Sequence, residues 1–212
     1  MMRFKIIHFH IFKNAGTSIQ DLLQRNFEDA YIDFDKLGLN DHEEPRQTIF
    51  NRIASHPDML AGSSHMHFYP LPEIPECRLI DLTFFRHPVD RLFSMYNFLS
   101  KDKGNQQEYF KYGNTFESFL ENMFSSRPFD SISAQTTFMA SGGEYYFPAS
   151  TEQRNAAIRK VRKVRFLGTV DQFNKSVQTG CHFLRPIFPH IKPVYSVNKE
   201  RHITRGAESF SG

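Results

Sequence analysis

The stretch from Ile6 to Ile19, Ile-Ile-His-Phe-His-Ile-Phe-Lys-Asn-Ala-Gly-Thr-Ser-Ile, constrains the fold more than any other part of the chain. It reads as a buried strand, a short polar loop and an amphipathic helix in direct succession. That order sets Lys13, the backbone around Gly16, and the hydroxyls of Thr17 and Ser18 at a helix N-terminus. Free N–H groups and the positive end of the helix dipole make such a terminus fit for a phosphate or a sulfate. A Walker A loop would put Gly-Lys-Ser/Thr at the end of a glycine-rich run. Here the lysine comes first, ahead of the loop's only glycine.

The alternation continues along the chain. Strands are expected over 4–11, Ala30–Phe34, Met59–Ala61, Arg78–Phe85 and Arg165–Val170. Helices are expected over 17–27, with Ile19, Leu22, Leu23 and Phe27 inward, and over 43–55, 115–125, 131–140 and 151–164. Pro88 opens another, with Val89, Leu92, Phe93, Tyr96 and Leu99 as its inner stripe, and a last one runs to about 185. Residues 101–112 read as a polar loop and the tail from 193 to 212 as irregular. Strands alternating with helices imply an α/β fold with a mostly parallel sheet flanked by helices. At 212 residues, one domain over 1–212 is the economical organisation.

Charge and cysteine content narrow the function classes. A net charge of +3 falls short of a nucleic-acid-binding signature, so no nucleic-acid partner is expected. Two cysteines, Cys77 and Cys181, make no disulfide framework and suit a reducing compartment. No apolar run approaches the roughly 20 residues of a membrane span, and the first strand leaves no room for a signal peptide. The expectation is a soluble, cytoplasmic chain. Its oligomeric state is not legible.

Ligands of such sheets bind at the carboxyl ends of the strands. Three segments fall there: Lys13 to Ser18, His65-Met-His67, and Phe85 to Tyr96. In the third, Arg86 leaves the strand while Asp90, Arg91, Ser94 and Asn97 share the helix face opposite the apolar stripe. An arginine with a hydroxyl on the following helix can hold a second phosphate.

With these residues in hand, the chain is similar to sulfotransferases that use 3'-phosphoadenosine 5'-phosphosulfate (PAPS). It most resembles the carbohydrate branch that includes heparan sulfate 2-O- and 6-O-sulfotransferases and their bacterial relatives. Phe12-Lys13-Asn14-Ala15-Gly16-Thr17-Ser18 resembles that family's 5'-phosphosulfate loop, commonly Pro-Lys-Thr-Gly-Gly-Thr-Ser. Phe12 stands for the usual proline and Asn14-Ala15 for Thr-Gly. Phe85-Arg86-His87-Pro88 through Ser94 resembles the 3'-phosphate motif, and Ser64-His65-Met66-His67-Phe68 the segment carrying the catalytic base. Fainter likenesses lie at Ala134–Met139 and Phe166–Phe173.

The resemblance implies a P-loop-NTPase-like sulfotransferase fold, PAPS as co-substrate, 3',5'-adenosine bisphosphate (PAP) as product, and no metal. Lys13, Asn14, Ala15, Gly16, Thr17 and Ser18 would hold the 5'-phosphosulfate, and Arg86 and Ser94 the 3'-phosphate. Lys13 would also act in transfer. His65 would take the proton of a hydroxyl acceptor, a carbohydrate or a small molecule, with His67 its competitor for that role. Three other readings remain at this stage. A nucleoside or sugar kinase shares the strand–loop–helix opening but lacks a Walker lysine and an evident Mg²⁺ carboxylate. The pairs His8/His10 and His65/His67 raise a metal-dependent hydrolase. A non-enzymatic anion- or glycan-binding module is the third. The basic run Arg159–Arg165 is either a solvated helix face or an approach surface for an anionic acceptor.

Overall fold

A computed structural model gives the structure and describes residues 2–37, 45–67, 69–101, 109–126, 133–140 and 149–195. Five strands form one sheet: β1 (Arg3–Phe9), β2 (Tyr31–Asp33), β3 (Ala61–Ser64), β4 (Cys77–Phe85) and β5 (Phe166–Thr169). Their order is β2-β3-β1-β4-β5 and every pair is parallel. The α-helices among the described residues are α1 (Gly16–Phe27), α2 (Pro45–Ser55), α3 (Pro88–Leu99), α4 (Phe116–Ser126), α5 (Ala134–Ala140), α6 (Thr151–Val161) and α7 (Phe173–Leu184).

β1 is central because nearly all of it is apolar or internally paired. Ile6, Ile7 and Phe9 are at most 1% exposed, as a strand covered on both faces requires. On one face Ile6, Ile80, Leu82 and Phe84 meet Ile19, Leu22 and Leu23 of α1 and Val177, Cys181 and Leu184 of α7. On the other, Ile7, Phe9 and Leu79 meet Ile49 and Ile53 of α2 and Ala157 of α6. A third cluster joins Met95 and Leu99 of α3 to Phe119 and Met123 of α4. Cys77 and Cys181 are both buried free thiols. Burial raises both thiol pKa values, that of Cys181 to about 11.

Lys5 is a buried cation inside this sheet. Its ammonium donates to the carbonyls of His56, Pro57 and Met59 at 3.3, 2.7 and 2.6 Å, collecting carbonyls just past the end of α2. Beside it, a cavity of about 230 Å³ lined by Arg3, Lys5, Ile53 and Cys77 opens at the amino edge of the sheet, away from the carboxyl ends of the strands. The basic run from Arg159 spans the end of α6 and the turn into β5. It too lies toward the amino end of its strand.

Several boundaries differ from the sequence reading. β1 ends at Phe9, and β4 begins at Cys77. β3 is Ala61–Ser64, not Met59–Ala61. Gly62 and two serines carry no apolar signal, yet they lie at the sheet's interior because the ring of Phe34 and the sulfur of Met59 cover Gly62. A Cβ there would sit 2.7 Å from Phe34 and 2.9 Å from Met59. In α3 the inner face carries Arg91, Leu92, Met95 and Leu99, while Val89 is 56% exposed. Arg91 therefore turns inward rather than joining the polar face. α4 starts at Phe116, α5 at Ala134 within the described residues, and α6 ends at Val161. Most of the 101–112 loop and the tail from 196 lie outside the described residues.

Candidate active site

The crevice at the carboxyl end of β1 is where the strand order reverses direction, between β3 and β4. The loop after β1 closes through two short turns, Ile11 N–H to the Phe9 carbonyl at 3.0 Å and Asn14 N–H to the Ile11 carbonyl at 3.1 Å. Lys13 and Ala15 adopt the left-handed conformation, φ +65° and +62°. Ala15 occupies the N-cap of α1 and has no side chain to accept from the helix's first N–H groups. Its carbonyl takes the N–H groups of Ser18 and Ile19 at 3.0 and 3.1 Å. Those of Gly16 and Thr17 have no acceptor among the described residues. The result is an open helix terminus, built to receive an anion.

Two cations converge on it. Lys13 is half-buried, with its ammonium 4.2 Å from the ring centre of Phe98 and 5.6 Å from that of Phe12. Burial and, secondarily, the charge of Arg86 lower its pKa. Arg86, at the end of β4, donates from Nη1 to the Lys13 carbonyl at 3.4 Å. Burial lowers its pKa as well, partly offset by Asp90 and Asp171. Its buried Nε has no partner among the described residues. Ser94, two turns into α3, is half-buried, as is Ser18; Thr17 is exposed.

Asn14 does not face the crevice with its amide. Nδ2 donates to the Phe84 carbonyl and to Gln135 Oε1, both at 2.8 Å. Gln135 in turn accepts from the Arg86 N–H and donates to the Arg86 carbonyl, each at 3.0 Å. One glutamine from α5 thus ties the loop after β1 to the end of β4. It lies in the Ala134–Met139 segment, whose fainter likeness was the sole sequence signal for it.

The histidines separate sharply by environment. His67 is fully buried, edge-on to Phe9 and Phe34, with Nδ1 3.0 Å from the His8 carbonyl and its Nε2 without a partner among the described residues. Burial, then the charge of Arg52, pushes its pKa down to about 3. His65 is half-buried, stacked on His10 with ring centres 3.7 Å apart. The Asp35 carboxylate accepts the His65 backbone N–H at 3.0 and 3.1 Å and the Ser64 hydroxyl at 2.7 Å. Asp35 did not stand out in the sequence, and His10 stood out only as half of a candidate metal-binding pair.

His10, Asp35 and His65 offer ligand atoms within 4.8 Å of one another, a spacing that invites a metal ion. Their orientation fits one poorly. The two rings lie only 25° from parallel, so their in-plane lone pairs run side by side instead of converging. Both Asp35 oxygens are engaged by Ser64 and the His65 backbone. Asp81, an acid on β4, is buried and serves the fold. It accepts from the Tyr69 hydroxyl and, at 2.9 Å, from the Arg165 N–H.

With this geometry established, the chain belongs to the sulfotransferase family, whose sequence profile matches residues 2–175. The five-stranded parallel sheet is the α/β fold expected of that family. An uncharacterized protein of Archaeoglobus fulgidus is 27% identical over 202 residues, which span 91% of this chain and 78% of that protein. No solved structure matches the chain. Among the described residues, no helix is long and apolar enough to cross a membrane.

Proposed function

We propose that this sulfotransferase moves the sulfuryl group of PAPS to a hydroxyl of an acceptor, a carbohydrate before other small molecules, acting as a single cytoplasmic domain. The observation that carries the reading is the pairing of Lys13 and Arg86. They come from the ends of two different strands, and both are half-buried beside an uncapped helix terminus. Placing two like charges together in a partly dry crevice is unfavourable until anions arrive. A donor with phosphate at both ends of its ribose supplies those anions.

The residue roles follow from charge. The N–H groups of Gly16 and Thr17 and the hydroxyls of Thr17 and Ser18 would hold the 5'-phosphosulfate, with Asn14 and Ala15 shaping the loop. Arg86 and Ser94 would take the 3'-phosphate. In the transfer, the S–O bond to the 5'-phosphate breaks as an S–O bond to the acceptor oxygen forms. The leaving phosphate keeps the electron pair, and Lys13 stabilises the charge it gains. His65 would accept the proton that the acceptor hydroxyl loses. Its partial exposure supports it over His67, whose ring is enclosed by Phe9 and Phe34. This scheme uses no metal.

Binding and turnover test the reading together. A ligand that binds the folded state alone raises its melting temperature. PAP should do so, and a shift with ATP-Mg²⁺ but none with PAP would favour a kinase instead. Replacing Lys13 with alanine should lower transfer of labelled sulfate by about a hundredfold or more, on the scale of losing one transition-state donor. Near-normal turnover would remove Lys13 from the chemistry. Arg86→Ala should weaken PAP much more than adenosine 5'-phosphosulfate, which lacks the 3'-phosphate.

A further inference from the structure

We propose that His10 is a positioning residue for the transfer: its buried ring supports the imidazole of His65 and packs against the first turn of α1. The base and the donor loop are thereby set against a single surface. The proposal rests on the reading of His65 as base and of residues 13–18 as the donor loop.

The geometry has three parts. His10 follows directly on β1, and its backbone N–H is fixed to the Ser64 carbonyl at 3.1 Å. Its ring is 8% exposed and stacks with two others. His8 lies 5.4 Å away at 18°, and His65 lies 3.7 Å away at 25°. The same ring packs on the backbone of Gly16. A Cβ at that position would stand 1.7 Å from both Cδ2 and Nε2 of His10, so any side chain there evicts the ring. Gly16 is thus glycine for the histidine's sake as well as for the anion's.

What this does for the reaction follows from alignment. A base on a turn, partly open to solvent, has a ring plane free to swing unless something covers it. The His10 ring covers one face of His65, while Asp35 holds the His65 main chain through its N–H. The base is therefore oriented before the acceptor arrives, which avoids the roughly hundredfold cost of a misplaced reacting group. The contact is a matter of shape, because His10 Nδ1 has no hydrogen-bond partner among the described residues. A flat ring without nitrogens should therefore serve as well.

The test compares His10→Ala, which removes the ring, with His10→Phe, which keeps it. Three quantities are read: kcat at saturating PAPS and acceptor, Kd for PAP, and the rate at which diethyl pyrocarbonate modifies His65, located by peptide mass mapping. In His10→Ala, kcat should fall about a hundredfold, PAP affinity should fall by much less, and His65 should react faster. His10→Phe should recover most of kcat and slow the modification again. A His10→Ala enzyme with wild-type kcat overturns the proposal. So does a His10→Phe enzyme as slow as His10→Ala, since a nitrogen would then be the working part. Stoichiometric zinc on the native chain, lost in both variants, overturns it too, because His10 would then be a ligand. The reagent's access to His65 needs no activity. If the native chain neither binds PAP nor transfers sulfate, the functional reading fails, while the contrast between the two variants still reports on the stack. Should His10→Ala fail to fold, His10→Phe decides alone: an unprotected His65 in the folded variant overturns the proposal.

Discussion

Ala15 carries a positive φ of 62° at the N-cap of α1, a conformation that costs an L-residue about 1–2 kcal/mol and glycine almost nothing. Lys13 carries the same strain at φ +65°, where the proposed transfer calls for an ammonium. The loop thus holds two strained residues at its functional end, where strain of this kind tends to be kept. Ala15→Gly should raise unfolding stability by about 1 kcal/mol in urea titrations, with turnover retained. A loss of stability would mean that the alanine methyl makes contacts worth more than the strain. Residue types announced part of the candidate site. Lys13, Gly16 and Arg86 could be placed at the strand ends from the sequence, where charge and glycine have few other uses. The left-handed turns were not, since alanine at 15 gives no sign of them. His10 was visible only as one of two histidines on a strand face, its contact with Gly16 being set by the tertiary fold.

Gln135 shows how elements far apart in sequence are fastened at the site. Its amide engages Asn14 and both backbone groups of Arg86, so α5 fixes the distance between the loop after β1 and the end of β4. Gln135→Ala strands the Arg86 N–H and carbonyl in a largely dry place, at about 1–3 kcal/mol for each unsatisfied group. We expect a lower urea midpoint and PAP affinity reduced about tenfold by calorimetry, the larger effect falling on the 3'-phosphate contacts. Unchanged affinity would show that the two motifs hold their spacing without the clamp. At this scale β1 and β4 were readable as near-continuous apolar runs. β3 was not, for Gly62-Ser63-Ser64 is buried through the bulk of Phe34 and Met59, which its own sequence cannot display. The inner face of α3 slipped for a similar reason: apolarity favoured Val89, whereas packing selects Met95 and admits Arg91.

Among the described residues, three histidines lie in the buried interior at the carboxyl end of the sheet: His8, His10 and His67. Burial, with neighbouring positive charge, depresses all three, His10 and His67 to about 3. The unfolded chain protonates them near pH 6.5, and the folded chain resists until far lower pH. Stability is therefore complete above about pH 6.5 and is lost as pH falls below it, by up to about 1.4 kcal/mol per pH unit for each histidine. Urea unfolding at pH 7.5 and 5.5 should show the loss directly. A flat profile would mean that these rings accept protons without unfolding. The parallel α/β plan itself was legible from the alternation of strands and helices. The order in which the strands line up, which makes the crevice, depends on crossovers that no local pattern encodes.

The two thiols have a practical consequence. Both cysteines of the chain are buried, with their pKa values raised, so neither offers a thiolate to reagents at neutral pH. A single cysteine introduced on the surface, for instance at exposed Met66 beside His65, can then be labelled with a fluorophore in the otherwise native chain. Acceptor binding becomes visible by light, without waiting for a product.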